Sequence, residues 1–432
     1  MRQVVFTAVF SNSTTNHDER TVIPAYYSDL PCFYQRGHIL YVRHRQVEGE
    51  TGKMAHQRGC TLRVGCVPYP FQRATMHQST QYKRKMNPVA VRLLNQQLIV
   101  PQFKTPTEVV SHMGAMQAQE YRMMRWAVEM RTTKPSHKAF KEAYDSGQII
   151  RLHLMRGTWQ LVSAEDYWWM IDLCSPKAIA ATTGWMHSNK ISISDEELYR
   201  VRDVLIQTAA DLGSATKEDF VQALVENNMK MDDHRLSYHI RMAEFSGTLC
   251  SGDLLPSKAT YTLSTEKVGP RPAQIDREHA LMRFTRKYFQ SHQPATLEDF
   301  VWWSGLNVND CRKGSALLGD TIHIEKWKGR DFYLTDNCRT RGFRTGKLLL
   351  IPPYDEYLIG YKSRDIVLPP EHRHRAHNNS GIFQPIIARD GIICGNWSPF
   401  KDESQVDFFE NEHDSEKVQE AWQLYMKYKR YK

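Results

Sequence analysis

The sequence predicts an α+β protein: three tandem winged-helix domains followed by a small antiparallel β-barrel or sheet domain. Three observations carry that reading. Residues 215–221 read ATKEDFV and residues 295–301 read ATLEDFV, with six of seven positions matching at a spacing of 80. An internal repeat at domain-sized spacing marks a duplicated structural unit. Each copy is followed by a second amphipathic segment and then by short alternating runs that read as a β-hairpin. From Lys347 onward the chain turns β-rich, with KLLLIPPYDEYLIGY and GIFQPIIARDGIICGNW.

The elements follow in order. Residues 1–85 hold 12 Lys+Arg against 5 Asp+Glu, leaving 45 against 43 for the remainder, so the net charge of +9 is concentrated near the N-terminus. This segment shows no sustained period and ends in the basic run Lys83, Arg84 and Lys85. It is read as an unstructured or spurious extension, with Met86 as the start; the competing reading is a flexible basic arm that adds phosphate contacts.

The first winged helix is expected over 86–192. It opens with Asn87-Pro88 and a helix over VAVRLLNQQLIV, and TPTEVVSHMG at 105–114 reads as a looser third copy of the repeated start. Gly114–Arg131 is predicted to be an amphipathic helix with Met116, Met123, Ala127 and Met130 as its apolar stripe. HKAFKEAYDSG forms the next helix. IIRLHLMRGTWQLV is a hairpin turning at Arg156-Gly157, with Leu152 and Leu154 on one face and Arg151 and His153 on the other.

The second winged helix, 193–268, holds the ATKEDFV start, a helix over DDHRLSYHIRMAEFSG, and strands at LCSG and TYTLS. The third, 269–345, holds ATLEDFV, a helix over DCRKGSALLG and a hairpin turning near Lys328-Gly329. Each Thr-x-x-Asp start is a plausible capping box, in which side chains satisfy the first free amides of the helix. The β domain spans 346–432, with a type I′ turn at Asp390-Gly391. An acidic loop over 402–416 leads to a closing helix that turns Val418, Ala421, Trp422 and Tyr425 inward.

Several function classes are excluded or disfavoured. There is no run of about 18 apolar residues, so no transmembrane helix is implied, and the N-terminal apolar patch is too short for a signal peptide. Eight cysteines with no C-x-x-C pair point to reduced, structural thiols in a cytoplasmic protein rather than a zinc site or disulfide framework. No Walker loop, GxSxG or HExxH occurs. Trp168-Trp169 and Trp302-Trp303 sit at helical positions and read as core, with one of each pair free to be exposed. Asp355 and Glu356 form a carboxylate pair read as structural, with Asp355 and Arg364 fixing a turn. His372, Arg373, His374, Arg375 and His377 alternate in a way that suits a metal. Lacking cysteine or acidic partners beyond Glu371, they read better as a mobile basic loop touching DNA.

The most informative stretch is Gln117-Ala118-Gln119. It offers two uncharged amides, each both donor and acceptor. On an ideal helix they lie about 200° apart, so they share one site only if the segment begins as a turn. Taken alone they read as surface glutamines. Together with LMRGTWQLV at 154–162, PYDEYLIGYKSRD at 353–365 and GIFQPIIARDGIICGNW at 381–397, they resemble the winged-helix DNA glycosylases of the AlkZ/YcaQ type. The resemblance covers residues 88–432.

It implies three winged helices and a β-barrel around a DNA-binding channel, action on alkylated bases, and unhooking of interstrand crosslinks. It assigns the catalytic role to Gln117 and Gln119. Relatives often carry histidine where Gln160 stands, a departure within the hairpin.

An N7-alkylated purine is already cationic and can leave without acid catalysis. Two amides that position a water would then suffice for a monofunctional N-glycosyl hydrolase. DNA contacts are expected from Arg122, Arg125, Arg151, His153, Arg156, Gln160, Arg373 and Arg375. The expected partner is double-stranded DNA with alkylated or crosslinked bases, met by a monomer with no membrane, metal or organic cofactor. The alternative is a non-catalytic winged-helix DNA-binding protein or transcriptional regulator.

Overall fold

A computed structural model describes residues 86–401, 405–410 and 414–430, together with four short strands before residue 40. In the first compact unit, 1–83, Phe6–Ala8 pairs antiparallel with Thr21–Ile23 and Tyr34–Gln35 with His38–Ile39. Beyond those strands, the reading of residues 1–85 lies outside the described residues.

The second unit, 84–432, is built on a pattern used three times. A helix leads into a short extended segment, two further helices follow, and an antiparallel hairpin closes the set. The first set runs through Pro106–Met113, Met116–Gln117, Met124–Glu129 and His137–Asp145 to the hairpin Ile149–His153 with Trp159–Ser163. The second runs through Asp195–Leu212, Ala215–Thr216, Lys217–Glu226 and Asp233–Phe245 to Leu249–Ser251 with Thr260–Leu263. The third runs through Arg277–His292, a bridge at Ala295, Leu297–Ser304 and Val308–Leu317 to Ile322–Trp327 with Arg330–Thr335.

Local chemistry sets many of these boundaries. Capping boxes at Thr105/Glu108, Thr216/Asp219 and Thr296/Asp299 start their helices, as the repeat predicts. Lys328-Gly329 and Asp390-Gly391 have positive φ at both residues, the geometry that two-residue hairpin turns require, and Arg156-Gly157 has it within the longer loop between His153 and Trp159.

Two expectations are overturned here. TPTEVV is a capped start, but it belongs to the first helix of its set, whereas ATKEDFV and ATLEDFV begin the second. The sheet register shows the true counterpart of Ala215-Thr216 to be Met116-Gln117: Gln117 pairs with Gln160 as Thr216 pairs with Thr260. Gly114–Arg131 is therefore not one helix. Gly114, at φ 78°, ends the preceding helix; Met116–Gln117 joins the hairpin as a third strand, and helix resumes only at Met124.

The last region is a four-stranded antiparallel sheet in the order Leu348–Ile351, Ile386–Arg389, Ile392–Trp397, Val406–Phe408. Part of the β-rich reading fails: Glu356–Ile359 is a helical turn capped by Asp355. The closing helix, Ser415–Arg430, turns Val418, Trp422, Tyr425 and Tyr428 against Trp126, Leu350 and Trp397, tying the sheet to the first set. Both Trp168 and Trp169 are buried, while Trp302 is 37% exposed beside a fully buried Trp303. No helix among the described residues is long and apolar enough to cross a membrane.

Candidate active site

Gln117 sits where a third strand meets the first hairpin. Its side chain is buried, and its Oε1 accepts hydrogen bonds from Gln160 Nε2 on the facing strand and from Thr158 Oγ1 at 3.2 Å. The ladder continues through Ala118, whose N–H donates to the Trp159 carbonyl. Along a strand, side chains two residues apart share a face. The strand itself ends at Gln117, and Gln119 follows in a bend, outside any helix. Gln119 is exposed.

Behind this strand lies a carboxylate. The Gln117 N–H donates to Glu356 Oε1 at 2.7 Å, while Glu356 Oε2 takes Trp303 Nε1–H at 2.9 Å and lies 3.2 Å from His292 Nε2. In the second and third sets the equivalent backbone N–H, of Thr216 or Thr296, donates to the acid three residues on, Asp219 or Asp299. In the first set the acid comes from another part of the chain. This exchange allows the following helix to start late, leaving Ala118 and Gln119 outside any helical turn.

The residues expected to touch DNA separate into groups. Gln160 belongs to the cluster directly. Arg151 does so from within: it is buried, donates from Nε to the Ala118 carbonyl at 3.2 Å and stacks on Trp159. His153 is buried, bonded to Glu244 and packed on Trp159, and burial holds its pKa below the usual histidine value against the pull of Glu244. Arg125 is buried too, donating to the carbonyls of Leu255 and Pro256.

Arg125, Arg151 and His153 are thus buried against protein groups rather than presented at the surface. The hairpin is covered on both faces, because the second set packs against it through the Arg151 N–H to Ser251 hydroxyl bond and the Glu244 contact. Arg122 remains exposed, paired with Glu120 and lying over Phe400. Arg156, at the hairpin tip, reaches toward Trp302.

Arg373 and Arg375 are held by Asp365 and Asp407 on a short helix, Arg373–Ala376, which replaces the expected mobile loop. No group of three His, Cys, Asp or Glu suited to a metal occurs among the described residues. Asp355 pairs with the buried Arg131 rather than with Arg364, whose Nε and Nη1 donate to the Leu358 and Lys362 carbonyls. Sequence reasoning missed Glu356 as a partner of Gln117, along with Thr158, His292 and Trp303. The signal available for Glu356 was its place in PYDEY, where only its structural weight was read.

With this arrangement established, residues 110–410 match the family model described as DNA glycosylase AlkZ-like. That span is well over half the chain. The chain belongs to the AlkZ-like DNA glycosylase family. It is 24% identical over 307 residues, 67% of its own length and 81% of the relative, to the interstrand DNA cross-link repair glycosylase of Streptomyces sahachiroi. The solved structure of the S. sahachiroi DNA glycosylase AlkZ superposes with a TM-score of 0.63 at 20% identity, covering 79% of this chain and 95% of that one. That likeness supports the mixed fold with small antiparallel sheets. The glutamine cluster of this AlkZ-like glycosylase lies within the matched residues.

Proposed function

We propose that this AlkZ-like protein hydrolyses the N-glycosidic bond of cationic N7-alkylated purines in duplex DNA and unhooks interstrand crosslinks. It would act as a monomeric, monofunctional glycosylase of the nucleoid, without metal or organic cofactor. Its three helix–helix–hairpin sets are read as winged helices that line the DNA path.

The observation that carries the reading is the locked amide of Gln117, two residues before the exposed Gln119. Gln117 Oε1 already accepts two hydrogen bonds, and a carbonyl oxygen has two lone pairs. Its remaining function is to present N–H donors from a fixed plane. The free oxygen is that of Gln119, which accepts a hydrogen bond from water and so orients the water's lone pair toward C1′ of the sugar. Neither amide is a general base, so the leaving group must already be activated by its positive charge. Neutral bases should therefore remain intact.

Base release from a duplex with one N7-methylguanine, read by mild-alkali cleavage at the abasic site, tests this proposal. Wild type should cut and Gln119→Ala should lose at least about a hundredfold in rate, the scale of losing one preorganised polar group. A variant as fast as wild type would remove the chemistry from the glutamines. If wild type leaves this lesion intact but unhooks a nitrogen-mustard crosslink, the substrate class narrows to crosslinks.

A further inference from the structure

Most cations near the site are already committed. Arg373 is paired with Asp365, Lys326 with Asp331, and Arg330 donates to the Ser363 hydroxyl. Arg156 and Arg364 differ in that each keeps a buried N–H donor unused. Arg156 Cζ lies 5.4 Å from the centroid of the Trp302 ring and Arg364 Cζ 5.3 Å from the same centroid. Arg156 Nε and Arg364 Nη2 are buried donors without a hydrogen-bond partner. Neither arginine is within ion-pair distance of a carboxylate among the described residues. The acids whose charge reaches them are engaged elsewhere: Glu356, acting on Arg156, by Gln117, His292 and Trp303, and Asp299, acting on Arg364, by the N–H groups of Thr296, Lys362 and Ser363.

Two like charges brought to one aromatic ring, each with a buried unsatisfied donor, form an arrangement that protein groups leave incomplete. Both are fixed in advance. Arg364 is anchored by two carbonyls, and the Arg156 stem lies so close to Gly305 that a Cβ there would meet its Cγ at 2.8 Å. Burial lowers Arg364 to about 10; Asp299 opposes that shift and the charges of Arg156 and Arg373 add to it. Trp302 is exposed at its edge, with its Nε1–H tied to the Ile359 carbonyl. What the pair lacks is an anion with several acceptor oxygens.

We infer that Arg156 and Arg364, flanking Trp302, form a subsite for one backbone phosphate of the DNA strand that carries the excised base. The inference rests on the glycosylase reading for the identity of that strand. The geometric link is short. Arg156 is two residues from Thr158, whose hydroxyl bonds the Gln117 amide, so a phosphate held at Trp302 fixes the strand beside the glutamines. Guanidinium forks suit phosphate because two N–H groups match two oxygens. The site is therefore a register pin: it sets which nucleotide faces Gln117 and Gln119 without reading its base.

The test combines salt titration with backbone substitution. Binding of a short duplex bearing one N7-methylguanine is measured against salt for wild type, Arg156→Met, Arg156→Lys and Arg364→Met. Losing one phosphate contact lowers the slope of log K against log salt by about 0.9. That drop is expected in both Met variants, while Arg156→Lys should retain the slope. Duplexes with a single uncharged methylphosphonate at successive positions then locate the contact. At one position wild type should lose about tenfold in affinity while Arg156→Met loses no more, the non-additivity of groups that touch.

Arg156 makes no hydrogen bond that its removal could break, so a thermal melt of Arg156→Met should match wild type. An unchanged salt slope in Arg156→Met and Arg364→Met, or additive losses at every backbone position, would overturn the subsite. Failure of wild type to release the base, with the slopes reduced as expected, would sink the glycosylase reading and leave the phosphate subsite standing.

Discussion

Thr216 and Gln117 occupy equivalent places in two repeats, and the contrast shows how a site is made from a scaffold. Each begins after a helix, pairs with the last strand of its own hairpin, and offers a backbone N–H that needs a carboxylate. Thr216 finds it three residues on, at Asp219, and a helix starts at once. Gln117 finds it 239 residues away, at Glu356. The local box closes a helix N-terminus and leaves nothing over. The remote one holds a strand end in place while leaving the next residues free of helical hydrogen bonds, and there the second glutamine projects. The third repeat lies between the two. Its Asp299 is local like Asp219, yet it is fully buried, also accepts the Lys362 and Ser363 N–H groups, and faces the buried Arg92 at 3.9 Å.

The sharpest way to break the contrast is to remove the remote acid's charge. Glu356→Gln would set an amide donor against groups that now donate to a carboxylate, and the Gln117 strand should shift. Because a misplacement of about 1 Å can cost a hundredfold in rate, excision at saturating enzyme should fall by roughly that factor while DNA affinity changes little. Single-turnover rates alongside binding isotherms would show it; an equal loss in both would make Glu356 merely structural.

Next come the two local acids. Asp299→Ala strips a buried arginine of its nearest countercharge and should cost about 3–5 kcal/mol. Asp219→Ala removes only part of a solvated capping box and should cost about 1 kcal/mol. Urea unfolding of both variants decides this, and equal costs would mean that burial adds nothing to the shared motif.

A pH-dependent effect comes from Glu129, a buried acid without an ion pair among the described residues. It accepts from the Ser136 N–H and the Thr132 hydroxyl, yet burial outweighs these bonds and raises its pKa to about 7. The folded chain then holds this proton more tightly than the unfolded chain. Its stabilising effect is full below the ordinary glutamate value of 4.5, declines as the pH rises and is lost once the pH passes about 7. The total is on the order of 3 kcal/mol at most. Melting temperatures from pH 4 to 8 should decline in wild type and flatten in Glu129→Gln; parallel curves would assign the pH dependence elsewhere.

By itself the sequence determined what neighbours along the chain can settle. The boxes at Thr105, Thr216 and Thr296, the turns at Gly157, Gly329 and Gly391, and the inward face of the closing helix all follow from contacts within a few residues. It also marked Gln117 and Gln119 as unusual. Only the tertiary structure decided that Gln117 lies in a strand. Its periodic methionines do reach the core, but the hydrogen bonds of its N–H and side chain go to Glu356, Thr158 and Gln160. Likewise, nothing in Trp302-Trp303 distinguishes the buried ring from the exposed one, and nothing in PYDEY says that Asp355 belongs to Arg131. Helical period and capping are short-range and written locally. The partners of a buried polar group depend on which distant segment folds back to meet it, and the free energy of leaving that group unpaired selects the segment only when the chain has closed.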